Sequence, residues 1–268
     1  MDDPNATTSG RRPTASIFLP LEHGSWALAL EPLALGLLVA PSPAGVALTT
    51  AALAGFFACR PLKASLDRSD TEARRAARWV LLLFGTLALA GLGGALLLGS
   101  PRALWPLLLA APFGGVFIYF DAQGDSRAAL AELSGSAAFA FLPAAFATLA
   151  GWHVPAALAL AALALARSIP TVLTVRTYLR LRKGKPALPA VSLLAAALAL
   201  GTLAILAAAH QSPWLAVCGS GLLLMRTAWF VSPRQPAWAA KRVGMGEAIL
   251  GAVYLGFAAI AYHTNWNG

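Results

Sequence analysis

Charged residues are scarce in this chain. Only 12% of its 268 residues are Asp, Glu, Lys or Arg, whereas 58% are hydrophobic. A soluble domain of this size carries a charge on about a quarter of its residues. The shortage of charge therefore excludes a soluble globular fold and indicates a protein that lies almost entirely within a membrane.

Cysteine and strand-like alternation are also nearly absent. The two cysteines, Cys59 and Cys218, fall at different predicted depths, so we expect neither a disulfide nor a metal site. The apolar runs do not alternate with polar residues as the strands of a membrane β-barrel do. Each run approaches the ~17 to 25 residues that a helix needs to cross a bilayer. Helices are therefore the expected spanning elements.

About nine such runs follow one another along the chain. We predict an all-α polytopic membrane protein with a disordered tail at residues 1–16 and a single transmembrane domain at residues 17–268. The predicted spans lie near residues 21–40, 44–59, 79–98, 103–120, 133–150, 156–178, 189–209, 214–231 and 243–262.

The basic residues predict the topology. Of the 20 Lys and Arg residues, all except Arg102, Arg167 and Arg226 fall on the side of the N-terminal tail. Basic residues accumulate on the cytoplasmic side of membrane proteins, so we expect a cytoplasmic N-terminus and an outside C-terminus. The net charge of +9 then reflects topology and contact with anionic lipid, and no nucleic-acid partner is expected.

Two opposite charges lie deep within predicted spans. Glu31 falls about midway along the first span, and Arg167 lies about 13 Å from Arg176 along the sixth, at the helical rise per residue. Such charges avoid lipid, so we expect Glu31 and Arg167 to pair. A structural buried ion pair and a pair that faces a substrate both fit this pattern.

The segment that opens the first span concentrates further polar residues. Glu22 and His23 stand next to each other, and Trp26 follows at an interfacial height. Glu22 and His23 are candidate proton carriers, although a histidine in this position more often caps a helix start. The other histidines fall on the opposite side of the membrane, which excludes a histidine metal site.

Further charges cluster at the cytoplasmic ends of later spans. Asp121 and Asp125, four residues apart, would share a helix face and suit Mg²⁺ bound to a diphosphate. A solvated turn neutralised by Arg127 is the simpler interpretation. Arg176 and Arg180 have the same spacing and suit a phosphate or carboxylate, but topology alone also explains arginines at this place.

Two segments carry a family resemblance. The run Pro20-Leu-Glu-His-Gly-Ser-Trp26 resembles the Pro-x-Glu-His-Gly-x-Trp hallmark of the YwiC-like family of bacterial membrane proteins. The run Arg60-Pro-Leu-Lys63, followed by Asp67 and Arg68, resembles the second signature of that family. The resemblance implies a multi-pass protein of the bacterial cytoplasmic (inner) membrane.

More distantly, the layout is similar to that of UbiA-type intramembrane prenyltransferases. Those enzymes have nine helices and a cytoplasm-facing cavity, in which two acidic motifs hold Mg²⁺ and an isoprenyl diphosphate. Here residues 59–63 and 175–180 stand in the places of those motifs, and most of the acids are replaced by basic residues. The resemblance thus implies a UbiA-like bundle without the usual metal-assisted chemistry. We expect no metal and no cofactor, and leave catalysis open.

The favoured hypothesis is that the cytoplasmic mouth binds an anionic, lipid-tailed molecule such as an isoprenoid or quinone precursor, with or without modifying it. The candidate catalytic residues are Glu22, His23 and Asp121. The candidate substrate-binding residues are Trp26, Glu31, Lys63, Asp67, Asp125, Arg127, Arg167, Arg176, Tyr178 and Arg180. Two alternatives are a transporter with a mid-membrane site at Glu31 and Arg167, and a non-catalytic subunit of a membrane complex.

Overall fold

The computed structural model describes residues 23–66 and 71–265, and these residues form an all-helical bundle without β-strands. The predicted all-α class is thereby confirmed, whereas the predicted tail at residues 1–16 lies outside the described residues. The helices are α1 (His23–Val39), α2 (Pro43–Leu66), α3 (Thr71–Leu98), α4 (Pro106–Ala122), α5 (Ala129–Ala140), α6 (Leu142–Leu149), α7 (Val154–Arg182), α8 (Pro189–Ala208), α9 (Trp214–Phe230) and α10 (Ala240–Asn265), with a 3-10 turn at Pro101–Leu104.

The helices identify an integral, multi-pass membrane protein. Seven segments of the described chain are long and apolar enough to cross a membrane. They are Pro43–Leu66, Arg74–Leu98, Pro101–Ala122, Ala129–Leu149, Val154–Arg182, Pro189–Ala208 and Ala240–Thr264. Two shorter apolar helical segments, Ala29–Val39 and Trp214–Phe230, occupy the places of the predicted first and eighth spans. The count of nine and the orientation of the termini stay predictions.

The predicted fifth span is formed by two helices, α5 and α6. The break falls at Phe141, and Pro143 stands in the first turn of α6. Proline has no backbone N–H for a helical hydrogen bond, so it suits the start of a new helix. Helix α6 is buried over most of its length, and Phe146 is fully buried.

Glycines bring neighbouring helices close to α6. A Cβ added at Gly36 of α1 would lie 2.6 Å from the Phe146 ring, and one at Gly45 of α2 would lie 2.8 Å from it. Only glycine permits approaches this close without a shift of the ring. The aromatic ring therefore forms the contact at which α1, α2 and α6 meet.

Helix α7 lies at the centre of the bundle. It packs against α1, α5, α6, α8, α9 and α10, and small residues make up much of its buried surface. Helices α2 and α3 instead pack mainly on each other, and α3 exposes Leu82, Leu83, Leu89 and Leu97. Such an apolar outer face suits contact with lipid, whereas the polar groups of the interior gather around α7.

Candidate functional site

Four charged side chains meet in the interior of the bundle. They come from four different helices: Glu31 from α1, Arg167 from α7, Arg226 from α9 and Glu247 from α10. Their side chains are 16%, 5%, 8% and 10% exposed, respectively. Charges that are this deeply buried are stable only when they are paired. We call these four residues the interior charge cluster.

Arg167 is the centre of the cluster. Its Nε lies 3.1 Å from Glu31 Oε2, and its Nη2 donates to Glu31 Oε1 at 3.2 Å. On its other side, Nη1 lies 3.3 Å from Glu247 Oε2, and Nη2 donates to the Glu247 carbonyl at 2.7 Å. The predicted pairing of Glu31 with Arg167 is confirmed.

Arg226 completes the cluster from α9. Its Nη2 lies 3.2 Å from Glu247 Oε2 and donates to Thr171 Oγ1 at 2.9 Å. Arg167 Nη1 also donates to the Thr171 hydroxyl, so this hydroxyl accepts from both arginines. Among the described residues, Nε and Nη1 of Arg226 have no hydrogen-bond partner, although the guanidinium lies 5.8 Å from the centre of the Phe230 ring. Unpaired donors in a buried guanidinium are costly.

A cleft between α1, α7 and α10 adjoins the cluster. Its polar end is formed by Glu31, Arg167 and Ser168, and the hydroxyl of Ser168 is buried without a hydrogen-bond partner among the described residues. The remaining lining residues are Pro32, Leu35, Ala164, Tyr254 and Leu255. The cleft therefore combines mostly apolar walls with one charged, hydrogen-bonding end.

Gly251 of α10 lies directly against the ion pair. A Cβ at this position would lie 2.0 Å from Glu31 Oε1 and 3.0 Å from Arg167 Nη2. No other residue type fits here without displacing the carboxylate. The missing side chain at position 251 is thus what lets Glu31 reach Arg167.

Prolines stand inside both helices that form this pair. Pro32 follows Glu31 in α1, and Pro170 lies three residues after Arg167 in α7. Proline cannot donate the helical hydrogen bond, so the carbonyl of Ala166 loses that partner. Each helix therefore lacks one helical hydrogen bond at the depth of the charges.

A second group of ion pairs lies at the membrane edge, around the connection between α4 and α5. Lys63 Nζ lies 3.3 Å from Asp121 Oδ1 and donates to the Asp121 carbonyl at 3.0 Å. Arg176 Nη1 lies 2.6 Å from Glu132 Oε2 and donates to the Arg127 carbonyl at 2.9 Å. The connection is thereby tied to α2 on one side and to α7 on the other.

The comparison with protein families concerns the first half of the chain. Residues 19–147 match the YwiC-like protein family. The match includes both segments on which the resemblance was predicted, and it confirms that resemblance. No curated protein and no solved structure matches the chain, so similarity to UbiA-type enzymes stays a prediction.

The YwiC-like segment contributes Glu31 to the interior cluster, and Lys63, Asp121 and Glu132 to the edge pairs. The arginines of the cluster lie outside this segment, on α7 and α9. The interior site therefore depends on both parts of the chain.

Other predicted site residues lie apart from the cleft. Tyr178 is fully buried, and its hydroxyl donates to the Pro236 carbonyl at 2.6 Å and accepts from the Trp238 N–H at 3.0 Å. This tyrosine holds the α9–α10 connection against α7. Arg180 Nε donates to the Pro186 carbonyl at 2.7 Å, and Asp125 is exposed in the α4–α5 connection.

The opening segment is described only in part. His23 and Trp26 lie in the first turn of α1, whereas Glu22 and Asp67 lie outside the described residues. Within residues 23–66 and 71–265, no group of three or more His, Cys, Asp or Glu side chains is placed to hold a metal ion.

The sequence-based candidates did not include Arg226, Glu247 and Glu132. Glu247 lies near the start of the predicted ninth span, residues 243–262, and the structure places it two turns inside α10, which begins at Ala240. Arg226 is the sequence feature that could have revealed the missed residues, because an arginine within an apolar span requires an acidic partner. Only the packing of α9 on α10 identifies that partner as Glu247.

Proposed function

We propose that this protein binds an anionic molecule with an apolar tail inside the bacterial cytoplasmic membrane, with the head group on Arg167. The ligand class is that of a membrane lipid, or of an isoprenoid or quinone precursor. One observation supports this proposal above the others. The Glu31 carboxylate is paired with the Arg167 guanidinium at the polar end of a cleft whose other walls are mostly apolar.

The contact between Glu31 and Arg167 has the geometry that an anionic ligand would reproduce. Two nitrogens of the guanidinium face the two oxygens of one carboxylate, as in the arginine sites that bind carboxylate or phosphate. Glu31 is the most exposed member of the cluster and lines the cleft. A ligand that enters the cleft would therefore meet Glu31 first and replace it on Arg167.

The surroundings of Arg167 suit the rest of such a ligand. The hydroxyl of Ser168, which has no hydrogen-bond partner among the described residues, supplies a further donor beside the guanidinium. Leu35 and Leu255 line the apolar end of the cleft, and they would have to move apart to admit a tail, because the free space between the side chains is only about 10 Å³. Glu247 holds Arg167 through its carbonyl and its carboxylate, so the arginine keeps its position when Glu31 leaves.

The edge pair of Lys63 and Asp121 would supply the first attraction for the head group. Lys63 is 56% exposed in its pair with Asp121, and exposed ion pairs contribute little stability. An anion can therefore replace Asp121 at small cost. Charges at a rim mainly change the rate of association and its salt dependence. Arg180 would act in the same way, with Glu22, His23 and Asp121 as proton carriers.

The test is the binding of octyl sulfonate, an anion with an apolar tail, to the protein in nanodiscs. The double variant Glu31→Gln/Arg167→Gln removes the interior pair while the local charge stays balanced, and we expect it to lose binding at least tenfold. The matched control, Glu132→Gln/Arg176→Gln, removes an edge pair of the same composition and should keep the affinity within about threefold. Equal affinity in all three proteins would contradict the proposal.

Transport of the bound anion is the second candidate function. It is supported by Pro32 and Pro170, which lie inside α1 and α7 beside the pair and each remove one helical hydrogen bond, because transporters form mid-membrane sites where helices are weakened or broken. Proteoliposomes loaded with labelled octyl sulfonate distinguish transport from binding alone. Efflux that disappears in the Glu31→Gln/Arg167→Gln variant supports transport, and efflux equal to that of empty liposomes argues against it.

A further inference from the structure

We infer that Glu31 takes up one proton whenever an anion binds to Arg167. This inference rests on the proposed function and adds a coupling between the ligand and the proton. It follows from the charge of the interior cluster and from the contacts of its two carboxylates.

The interior charge cluster is neutral as it stands. Two carboxylates face two guanidinium groups, and all four side chains are at most 16% exposed. A monovalent anion that entered this site alone would leave one uncompensated negative charge at membrane depth, which is strongly unfavourable. Uptake of one proton from water by a carboxylate restores neutrality: the proton forms an O–H bond on the carboxyl group, and the anion takes the place of the carboxylate on Arg167.

The contacts identify Glu31 as the carboxylate that receives the proton. Among the described residues, its only ion-pair partner is Arg167, the group that the ligand would occupy. Glu247 contacts both Arg167 and Arg226, so it keeps a cation after the anion binds. Glu31 also lines the cleft, where the ligand enters.

Among the described residues, no titratable group outside the cluster faces Glu31 closely enough to take up the proton in its place, apart from the Tyr254 hydroxyl, which is already bonded to the Leu163 carbonyl. Arg167 faces it from α7, and Glu247 and Tyr254 face it from α10, with Arg226 behind them on α9. Helix α6 carries no charged side chain, and the charged residues of α2 and α5 lie at their membrane-edge ends. Those residues are Arg60, Lys63 and Glu132. Proton uptake by the cluster therefore requires one of its own carboxylates.

Calorimetry in buffers of different ionisation enthalpy counts the protons taken up per bound ligand. Octyl sulfonate is the suitable probe because its head group stays ionised, so that every proton counted belongs to the protein. We expect one proton per bound sulfonate for the wild type. Glu31→Gln should bind the probe without proton uptake, while the edge control Glu132→Gln should still take up one proton.

The outcomes separate this inference from the proposed function. Binding to the wild type without proton uptake overturns the inference alone, and so does uptake of one proton by Glu31→Gln. Absence of binding to the wild type overturns both. If Glu31→Gln does not fold, the pH series of the wild type decides: coupling predicts that affinity falls about tenfold per unit of rising pH, and a constant affinity overturns it.

Discussion

Glu247 joins the two buried arginines, because its carboxylate lies 3.3 Å from Arg167 Nη1 and 3.2 Å from Arg226 Nη2. Replacing this glutamate by glutamine leaves Arg226 without an ionic partner among the described residues. Removing one member of a buried pair costs roughly 3–5 kcal/mol. We therefore predict that Glu247→Gln lowers the stability of the bundle by about that amount, measured by thermal unfolding in detergent.

Two variants control this prediction. Arg226→Gln/Glu247→Gln removes both charges and should be more stable than the single variant, because no uncompensated charge remains. Asp125→Asn changes an exposed acid and should shift stability by less than about 0.5 kcal/mol. A Glu247→Gln protein as stable as the wild type would show that Glu247 is not needed to neutralise the buried arginines.

Gly251 provides a test that changes no charge. In Gly251→Ala the new Cβ would lie 2.0 Å from Glu31 Oε1, so the carboxylate must move away from Arg167. Overpacking of this kind costs roughly 1–3 kcal/mol. The matched control is Gly256→Ala on the same helix, where a Cβ meets nothing within 4 Å and alanine favours the helix. Equal thermal stability of the two variants would count against the geometry of the pair.

At the residue scale, part of the site was predictable from charged residues that lie far from the ends of a predicted span. Glu31 and Arg167 are recognisable in the sequence because charges are rare in apolar runs and avoid lipid. Arg226 carries the same signal. Glu247 and Glu132 do not, since an acid near the end of a span is ordinary, and only the contacts between helices show that each has an arginine partner.

Among the elements, the connection between α9 and α10 depends on one side chain of α7. Tyr178→Phe removes a donor to the Pro236 carbonyl and an acceptor for the Trp238 N–H. Leaving these partly buried groups unpaired costs roughly 1–3 kcal/mol. We predict tryptic cleavage after Arg234 that is about 5- to 150-fold faster, as that free energy implies.

Tyr119→Phe is the control for this experiment, because Tyr119 is 62% exposed and lies on α4. Its cleavage rate after Arg234 should match that of the wild type. If Tyr178→Phe also matches the wild type, the tyrosine does not hold the connection. The packing of Phe230 on the Tyr178 ring would then suffice.

The sequence predicted most elements because hydropathy and length define spans well. The break between α5 and α6 was missed because residues 133–150 form one mostly apolar run, in which Ser134, Ser136 and Thr148 are the only polar side chains. A proline that suits a helix start does not by itself show where the preceding helix ends. The central position of α7 was also not predictable. Its small residues are common to all helices of this chain, and their burial depends on which helices surround it.

For the whole molecule, the distribution of basic residues predicts which connections face the cytoplasm. In a background with Cys59 and Cys218 replaced by alanine, we expect Lys183→Cys, between α7 and α8, to resist a membrane-impermeant maleimide in intact cells. Ala209→Cys, between α8 and α9, should be labelled. Both positions are exposed, so a difference reports sidedness. Labelling of Lys183→Cys and protection of Ala209→Cys would show that the topology is opposite to the predicted one.

The most direct measurement of the central claim is mass spectrometry of the small molecules that remain bound to the protein after extraction from its own membrane. If the interior pair is a binding site for an amphiphilic anion, the wild type and Glu132→Gln/Arg176→Gln should retain the same anionic, lipid-tailed molecule, and Glu31→Gln/Arg167→Gln should lose it. An identical set of bound molecules in all three proteins would contradict the claim that Arg167 binds the head group.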